Sequence, residues 1–441
     1  MSGAQDSAQH GQASRAQDPA ASGARGGRSR ALPGESRTGR EGEEPLEGRR
    51  IWFVGIGGAG LSGYAIVAKA WGAEVGGWDK VETPYLLHVR EADIPVEIQA
   101  EPVTAPEWEV VVSTAFAERV PGRSRAEFLT ELVSLQRSIV VAGAHGKTTT
   151  AAMIAFVLDG LGLDPGFLIG AEVPQLGGNA RAGSGWLVVE GDESDRTVFS
   201  LPAEIAVITN VDLDHHTTFA STAELQREFD RWAATLPRVI WGEEVGTPPE
   251  LELALAGDHN RANAALALAA LEAAGVARAD AVHVLREFRG AGRRLEPRGE
   301  AGGVSVIDDY GHHPSEVAAT IAAARSLLDG GGRLLVLFQP HLYSRTIHLA
   351  RELAEALAGA DVACVTEIYA AREEPVDGVS GKLIVERLVE LRPGMPVGWA
   401  PALDDAAALV AEQARPGDLV LTVGAGDVDR AVPLILDRLR S

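Results

Sequence analysis

Val140-Val141-Ala142-Gly143-Ala144-His145-Gly146-Lys147-Thr148-Thr149-Thr150 decides the fold. An apolar strand enters a glycine turn, and Lys-Thr-Thr opens a helix. Backbone amides and one lysine hold the phosphates of a nucleoside triphosphate in this way. Only four of the 40 basic residues are lysines: Lys69, Lys80, Lys147 and Lys382. A compact ammonium suits a crowded phosphate site better than a wide guanidinium fork. The strict pattern has glycine six residues before the lysine, where Val141 stands, so the loop is a shortened G-x-x-G-K-T-T. Gly143, Ala144, His145, Gly146, Lys147, Thr148 and Thr149 are therefore the candidate ATP site. Lys147 would neutralise the β/γ-phosphates and the Thr148 hydroxyl would ligate Mg²⁺.

Upstream, the strand Ile51-Trp52-Phe53-Val54 runs into Gly55-Ile56-Gly57-Gly58-Ala59-Gly60, then a helix, then a strand ending near Asp79. This βαβ start matches G-x-G-x-x-G with an acid about 20 residues on, a diphosphate-binding arrangement in which Asp79 would accept from a ribose hydroxyl. It suits NAD, FAD or another nucleotide diphosphate, or a purely structural tight turn. A strand at 109–113 ends in Ser113-Thr114. Downstream of the lysine loop, Trp186-Leu187-Val188-Val189-Glu190 and Ile205-Ala206-Val207-Ile208-Thr209 are continuous apolar runs with polar residues at their C-terminal ends. Parallel sheets have that pattern and place ligands there. Four more short strands lie at 304–307, 334–338, 362–366 and 419–423, with helices between them. The expected fold class is α/β, as three consecutive α/β domains: a Rossmann-like domain over 49–137, a P-loop ATPase-like domain over 138–292 and a Rossmann-like domain over 293–441. Residues 1–48 have almost no large apolar side chains and are expected to be a disordered tail, not a signal peptide.

A net charge of −22 argues against general nucleic-acid or anionic-membrane binding. The single cysteine, Cys364, excludes an internal disulfide and a cysteine-based zinc site, and it falls in an apolar run expected in the core. No apolar stretch reaches the ~18–20 residues of a membrane span. These features predict a cytoplasmic protein, monomer or homodimer.

For the metal, Mg²⁺ takes oxygen ligands in octahedral geometry. Glu193, in the turn after Glu190, is the leading candidate, with Asp192 and Asp195 as alternatives or as a solvated acidic turn. His215 is a candidate for a second metal ligand, although nitrogen is unusual for Mg²⁺, or for orienting the reacting carboxylate, and His216 is read as its surface neighbour. Asn260, before an alanine-rich helix, either reads an adenine edge or caps that helix. Arg293, Arg294 and Arg345, near Asp308-Asp309-Tyr310-Gly311-His312-His313-Pro314, suit an anionic substrate pocket better than a metal site, because arginine binds carboxylate and phosphate bidentately.

Taken together, G-I-G-G-A-G-L-S from Gly55, G-A-H-G-K-T-T from Gly143, E-G-D-E-S-D from Glu190, T-N-V-D-L-D-H from Thr209, G-D-H-N-R-A-N-A from Gly257, D-D-Y-G-H-H-P from Asp308 and F-Q-P-H-L-Y-S-R from Phe338 resemble the Mur ligases. Among these they are most similar to the branch that joins L-alanine to UDP-N-acetylmuramate. The sister branch that recycles cell-wall tripeptide differs at the first loop and at D-D-Y-G-H-H-P. The resemblance implies that Gly55, Gly57, Gly58, Gly60, Ser62, Asp79, Ser113 and Thr114 hold the UDP-sugar. It implies ATP and Mg²⁺ in the central domain, with Lys147, Glu193 and His215 catalytic, Thr148, Glu193 and His215 at the metal, and Asn260 and Asn263 on the adenine side. Arg293, Arg294, Tyr310, His312, His313 and Arg345 would form the substrate pocket for UDP-N-acetylmuramate and L-alanine. The reaction would pass through an acyl phosphate. Two departures stand out: about twenty residues between Pro237 and Gly257 where the family has several more strands, and a stretch from Ala115 to Ser138 that is short where a helix and strand are expected. A nicotinamide oxidoreductase, or a relative that binds nucleotide without turnover, are the competing readings.

Overall fold

The computed structural model describes residues 44–214, 218–248, 251–328, 330–371 and 373–440. The tail expected over 1–48 lies outside the described residues as far as 43. Residues 44–48, by contrast, form a turn in which Leu46 is fully buried and its amide donates to Trp71 O at 2.8 Å.

Three sheets follow one another along the chain. The first contains β1 (Arg50–Val54), β2 (Glu74–Asp79), β3 (Val96–Ile98), β4 (Glu109–Val112) and β5 (Arg123–Ser124), in the order β3-β2-β1-β4-β5 and parallel throughout. Helices α1 (Ala59–Ala70), α2 (Leu86–Glu91) and α3 (Arg125–Leu135) accompany it. β1 is buried after its first residue because both faces of a parallel sheet are covered. The stretch from Ala115 to Ser138 is not missing its helix and strand: β5 and α3 occupy it. Ser124 and Glu127 form a reciprocal capping box that starts α3 and satisfies two otherwise orphan amides.

The central sheet contains β6 (Ser138–Ala142), β7 (Gly166–Val173), β8 (Gly178–Arg181), β9 (Leu187–Glu190), β10 (Ile205–Ile208) and β11 (Val239–Trp241), in the order β11-β10-β6-β9-β7-β8. Only the β7–β8 pair is antiparallel. Helices α4 (Lys147–Gly160), α5 (Thr222–Ala233), α6 (Asp258–Ala273) and α7 (Arg278–Leu285) pack on it. Among the described residues after Pro237 the sheet gains a single edge strand, β11, before α6 begins. The strands flanking the phosphate loop, β9 and β10, both pair with β6.

The third sheet contains β12 (Glu296–Ala301), β13 (Val304–Asp309), β14 (Leu334–Phe338), β15 (Val362–Val365), β16 (Val397–Trp399) and β17 (Leu419–Val423), in the order β12-β13-β17-β14-β15-β16. Only β12 runs antiparallel to its neighbour. Helices α8 (Pro314–Ser326), α9 (Tyr343–Leu357), α10 (Lys382–Leu391), α11 (Leu403–Gln413) and α12 (Ala431–Leu439) cover both faces. Cys364 is a core residue whose thiol burial pushes up to about 12. Among the described residues no helix is long and apolar enough to cross a membrane.

The joins between sheets differ in chemistry. α1 lies against β7 and β8, where Gly63 permits close approach: a Cβ there would sit 2.9 Å from Ala180 Cβ. One apolar cluster runs continuously from Phe53, Leu61 and Phe128 through Leu168 to Val140 and Val189. The third unit meets the central one largely through ion pairs. Asp214 takes Arg345 Nε at 2.7 Å and lies 3.3 Å from His312 Nε2.

Candidate active site

The phosphate loop leaves β6 at Gly143 (φ +114°) and enters α4 through Gly146 (φ +80°). Side chains rarely adopt either conformation, and a Cβ on Gly146 would also collide with the Asn263 carboxamide. Asn210 braces the loop. Its Oδ1 accepts from His145 N at 3.0 Å, its Nδ2 donates to His145 O at 2.9 Å, and its carbonyl accepts from Ala144 N at 3.1 Å. The Ala144 and His145 amides are thus already engaged, so anion binding falls to the first amides of α4, which have no intrahelical acceptor.

Lys147 Nζ lies 3.1 Å from Glu193 Oε2 and 3.1 Å from Ala144 O. Burial opposes its charge, but Glu193, Asp192 and Glu190 together raise its pKa above the ordinary lysine value. Glu193, read from sequence as the metal ligand, is fully buried as the partner of this lysine. Glu190 stands nearer the hydroxyl instead. It ends β9 in register with Val141, and its Oε1 accepts from Thr148 Oγ1 at 2.8 Å while Oε2 accepts from Gly170 N at 2.7 Å. Neighbouring oxygens on an octahedral Mg²⁺ at ~2.0–2.1 Å are about 2.9 Å apart, so Thr148 and Glu190 could share one ion. His215 and His216 lie outside the described residues.

The C-terminal unit contributes three arginines with different duties. Arg293 is fully engaged: Nε on Asp308 at 2.8 Å, Nη1 on Gly426 O at 2.8 Å and Nη2 on Gly424 O at 2.7 Å. Arg345, 3% exposed, is held by Asp214 and by His341 Nδ1 at 2.9 Å. All three Arg293 nitrogens are committed to the C-terminal unit, whereas Arg345 uses Nε and Nη1, and both side chains line the large cavity. Arg294 reaches across to Thr148 Oγ1 at 3.4 Å, packs over Tyr310 and keeps a buried Nε without a hydrogen-bond partner. It is the arginine with donors in reserve at the phosphate loop.

His145 and His313 stack with centroids 4.8 Å apart. Burial works against protonation of His145, but its hydrogen bonds to the Asp212 and Glu316 carboxylates raise it to about 9. Burial and the His145 charge push His313 the other way. His312 lies between Asp214 and Tyr310 O.

Two cavities flank the loop. One of about 820 Å³ touches all three units, through Gly60 and Arg125, Lys147 and Glu190, and Arg294 and Tyr310. Tyr85 lines it too, its hydroxyl pushed by burial to about 12. The other, about 270 Å³, opens onto Gly146, Thr149 and Asn263. Asn260 lines it from inside α6, its Nδ2 donating to Ala256 O at 2.7 Å; the N-cap of that helix is Gly257, so Asn260 is not its cap.

In the first unit, Gly60 reaches the large cavity. Asp79 does not offer a free carboxylate to a ribose: Oδ2 accepts from Gly57 N at 2.7 Å and Oδ1 from Lys80 N at 2.7 Å. Ser62 is fully buried and bonds back to Ala59 O. Gly55 is buried at φ +87° under Ser113, Gly58 and Thr114 are exposed, and Ser113 is half-buried. The sequence reading missed Glu190, Asn210, Asp214 and Arg125. For Glu190 the signal was present, as the last residue of the apolar run Trp186–Glu190.

The profile described as "Mur ligase, glutamate ligase domain" matches residues 293–426. A UDP-N-acetylmuramate–L-alanine ligase of Streptomyces coelicolor is 38% identical over 453 residues, covering 88% of this chain and 97% of its own. One from Thermobifida fusca is 39% identical over 463 residues, covering 88% and 96%. The crystal structure of the UDP-N-acetylmuramate–alanine ligase of Thermotoga maritima superposes with a TM-score of 0.73 at 27% identity, covering 88% of this chain and 98% of that one.

Proposed function

The chain belongs to the Mur ligase family, in its UDP-N-acetylmuramate–L-alanine ligase branch, and from that premise we propose that it joins L-alanine to the carboxylate of UDP-N-acetylmuramate at the expense of ATP. Peptidoglycan precursor synthesis is the process served, in the cytoplasm, where both nucleotides are available. The observation that carries the reading is the large cavity lined by all three units, with the phosphate loop and Arg294 at its wall. The nicotinamide reading leaves that loop unused.

A carboxylate is a poor electrophile. The muramoyl carboxylate oxygen attacks the γ-phosphorus, the bond to the β-bridging oxygen breaks, and ADP leaves. The acyl phosphate is then attacked by the neutral amine of alanine, and phosphate departs with the C–O bond electrons and takes up the proton that the amine gives up. Lys147 and the α4 N-terminus neutralise charge on the phosphates, and Arg294, whose Nη2 lies 3.4 Å from Thr148 Oγ1, binds the transferring group. Thr148 and Glu190 form the oxygen donor set that fits Mg²⁺, which when bound would polarise the β- and γ-phosphate oxygens. The nucleoside occupies the smaller cavity beside Asn263, and the Gly55–Gly60 loop takes the UDP diphosphate. Departure of Glu193 from Lys147 frees the ammonium for phosphate.

Phosphate release that requires UDP-N-acetylmuramate and L-alanine together is the expected result with purified protein. A folded protein that binds ATP but releases none with both substrates present would sink the proposal.

A further inference from the structure

We propose that His145, Asp212 and His313 form a site for a zinc-class divalent ion, separate from the magnesium position, that ties α8 to the phosphate loop. One donor atom from each of the three residues lies within 4.8 Å of the others. His145 Nε2 is 3.3 Å and His313 Nδ1 is 3.7 Å from Asp212 Oδ2. Donors on a tetrahedral ion with bonds of ~2.0–2.1 Å stand about 3.3 Å apart; His145 is already at that distance from Asp212, and the two imidazoles, within 4.8 Å of each other, draw together to close the set. His313 is 6% exposed, and its Nδ1 is buried with no hydrogen-bond partner. A buried imidazole nitrogen without a partner is costly, and a metal would satisfy it.

The surroundings fit a metal as well. Glu316 Oε1 lies 3.3 Å from His145 Nδ1, the carboxylate–histidine arrangement that orients a ligating ring; the ion takes the place of the proton that His145 Nε2 shares with Asp212, and Ser315 Oγ donates to Asp212 at 3.2 Å. Two imidazoles and one carboxylate favour a borderline ion such as Zn²⁺ over Mg²⁺, whereas Thr148 and Glu190 offer oxygen only. Three protein donors leave one position for water or a phosphate oxygen. His145 belongs to the phosphate loop, and His313 precedes α8 in the C-terminal unit. An ion joining them holds that unit against the smaller cavity, which His145, Ser315 and Glu316 all line, and so inhibits turnover.

The test is a zinc titration of the full-length protein against a fluorescent chelator at millimolar Mg²⁺. One equivalent should bind. His313→Ala and Asp212→Asn should each weaken it by about tenfold or more. Glu190→Gln should keep the same stoichiometry. Zinc should suppress phosphate release in the unmodified enzyme, and chelation should restore it. Circular dichroism identifies a variant that fails to fold, and the other then decides. No zinc equivalent, affinity unchanged in the folded variants, or bound zinc with undiminished turnover would each overturn the proposal.

Discussion

Replacing Glu190 and Glu193 one at a time separates two carboxylates three residues apart. The 2.8 Å between Thr148 Oγ1 and Glu190 Oε1 matches adjacent oxygens on octahedral Mg²⁺. Glu190→Gln should therefore weaken apparent Mg²⁺ affinity by about 10–100-fold, the range seen when even outer metal partners are lost, and lower kcat with it. Glu193 faces Lys147 at 3.1 Å. At an effective dielectric of about 20 the attraction is about 5 kcal/mol before desolvation. Asp192 and Glu190 still face the lysine after Glu193→Gln, so a net loss of about 2–3 kcal/mol is expected in the nucleotide-free protein. ATP phosphates replace the lost partner, so ATP should raise Tm more in Glu193→Gln than in the unmodified protein. The assay is phosphate release titrated with Mg²⁺ at saturating substrates, beside melting curves with and without ATP. A Mg²⁺ requirement displaced in Glu193→Gln but not in Glu190→Gln would refute the assignment.

Asn210→Ala removes both side-chain bonds to His145 but keeps the backbone bond to Ala144. KM for ATP should rise by about thirtyfold, from about 1 kcal/mol for each of the two lost bonds, while UDP-sugar affinity by calorimetry stays unchanged. Arg294→Ala should cut kcat by about 10²–10³ with ATP affinity nearly intact, as for a donor used mainly in the transition state; an effect confined to KM contradicts that role. His145 is held at about 9 against 6.5 by Asp212 and Glu316, over the opposition of burial. Its folded-state pKa is raised, so its contribution of about 3 kcal/mol is complete below pH 6.5 and lost as pH rises through 9. Tm of the nucleotide-free protein should fall across that window, and the fall should flatten in His145→Gln; parallel profiles would exclude the ion pair.

Local patterns were readable from sequence. The lysine loop is set by residues 143–149 alone, and the apolar runs before Glu190 and Asn210 mark strands covered on both faces. The choice between Glu190 and Glu193 was not local. It depends on β9 lying in register with β6, which puts Glu190 opposite Val141. Arg345 and Arg293 read as anion binders because arginine type is visible, while their commitments to Asp214 and to the 424–426 carbonyls are long-range. Asp79 and Ser62 likewise turned inward to the backbone. One error was avoidable: Ser124-Arg125-Ala126-Glu127 carries the S-x-x-E capping signature, which announced α3 in a stretch read as missing it.

The unlike seams described above give the enzyme unequal responses to its medium. The seam between the first two units is apolar around Gly63, Leu168 and Ala180, and added salt scarcely weakens it. The seam to the third is held by charges, with Asp214 between Arg345 and His312, and ions screen whatever part of it solvent reaches once it parts. Ionic strength thus acts on the third unit's residence time over the nucleotide while the first two stay joined as one platform.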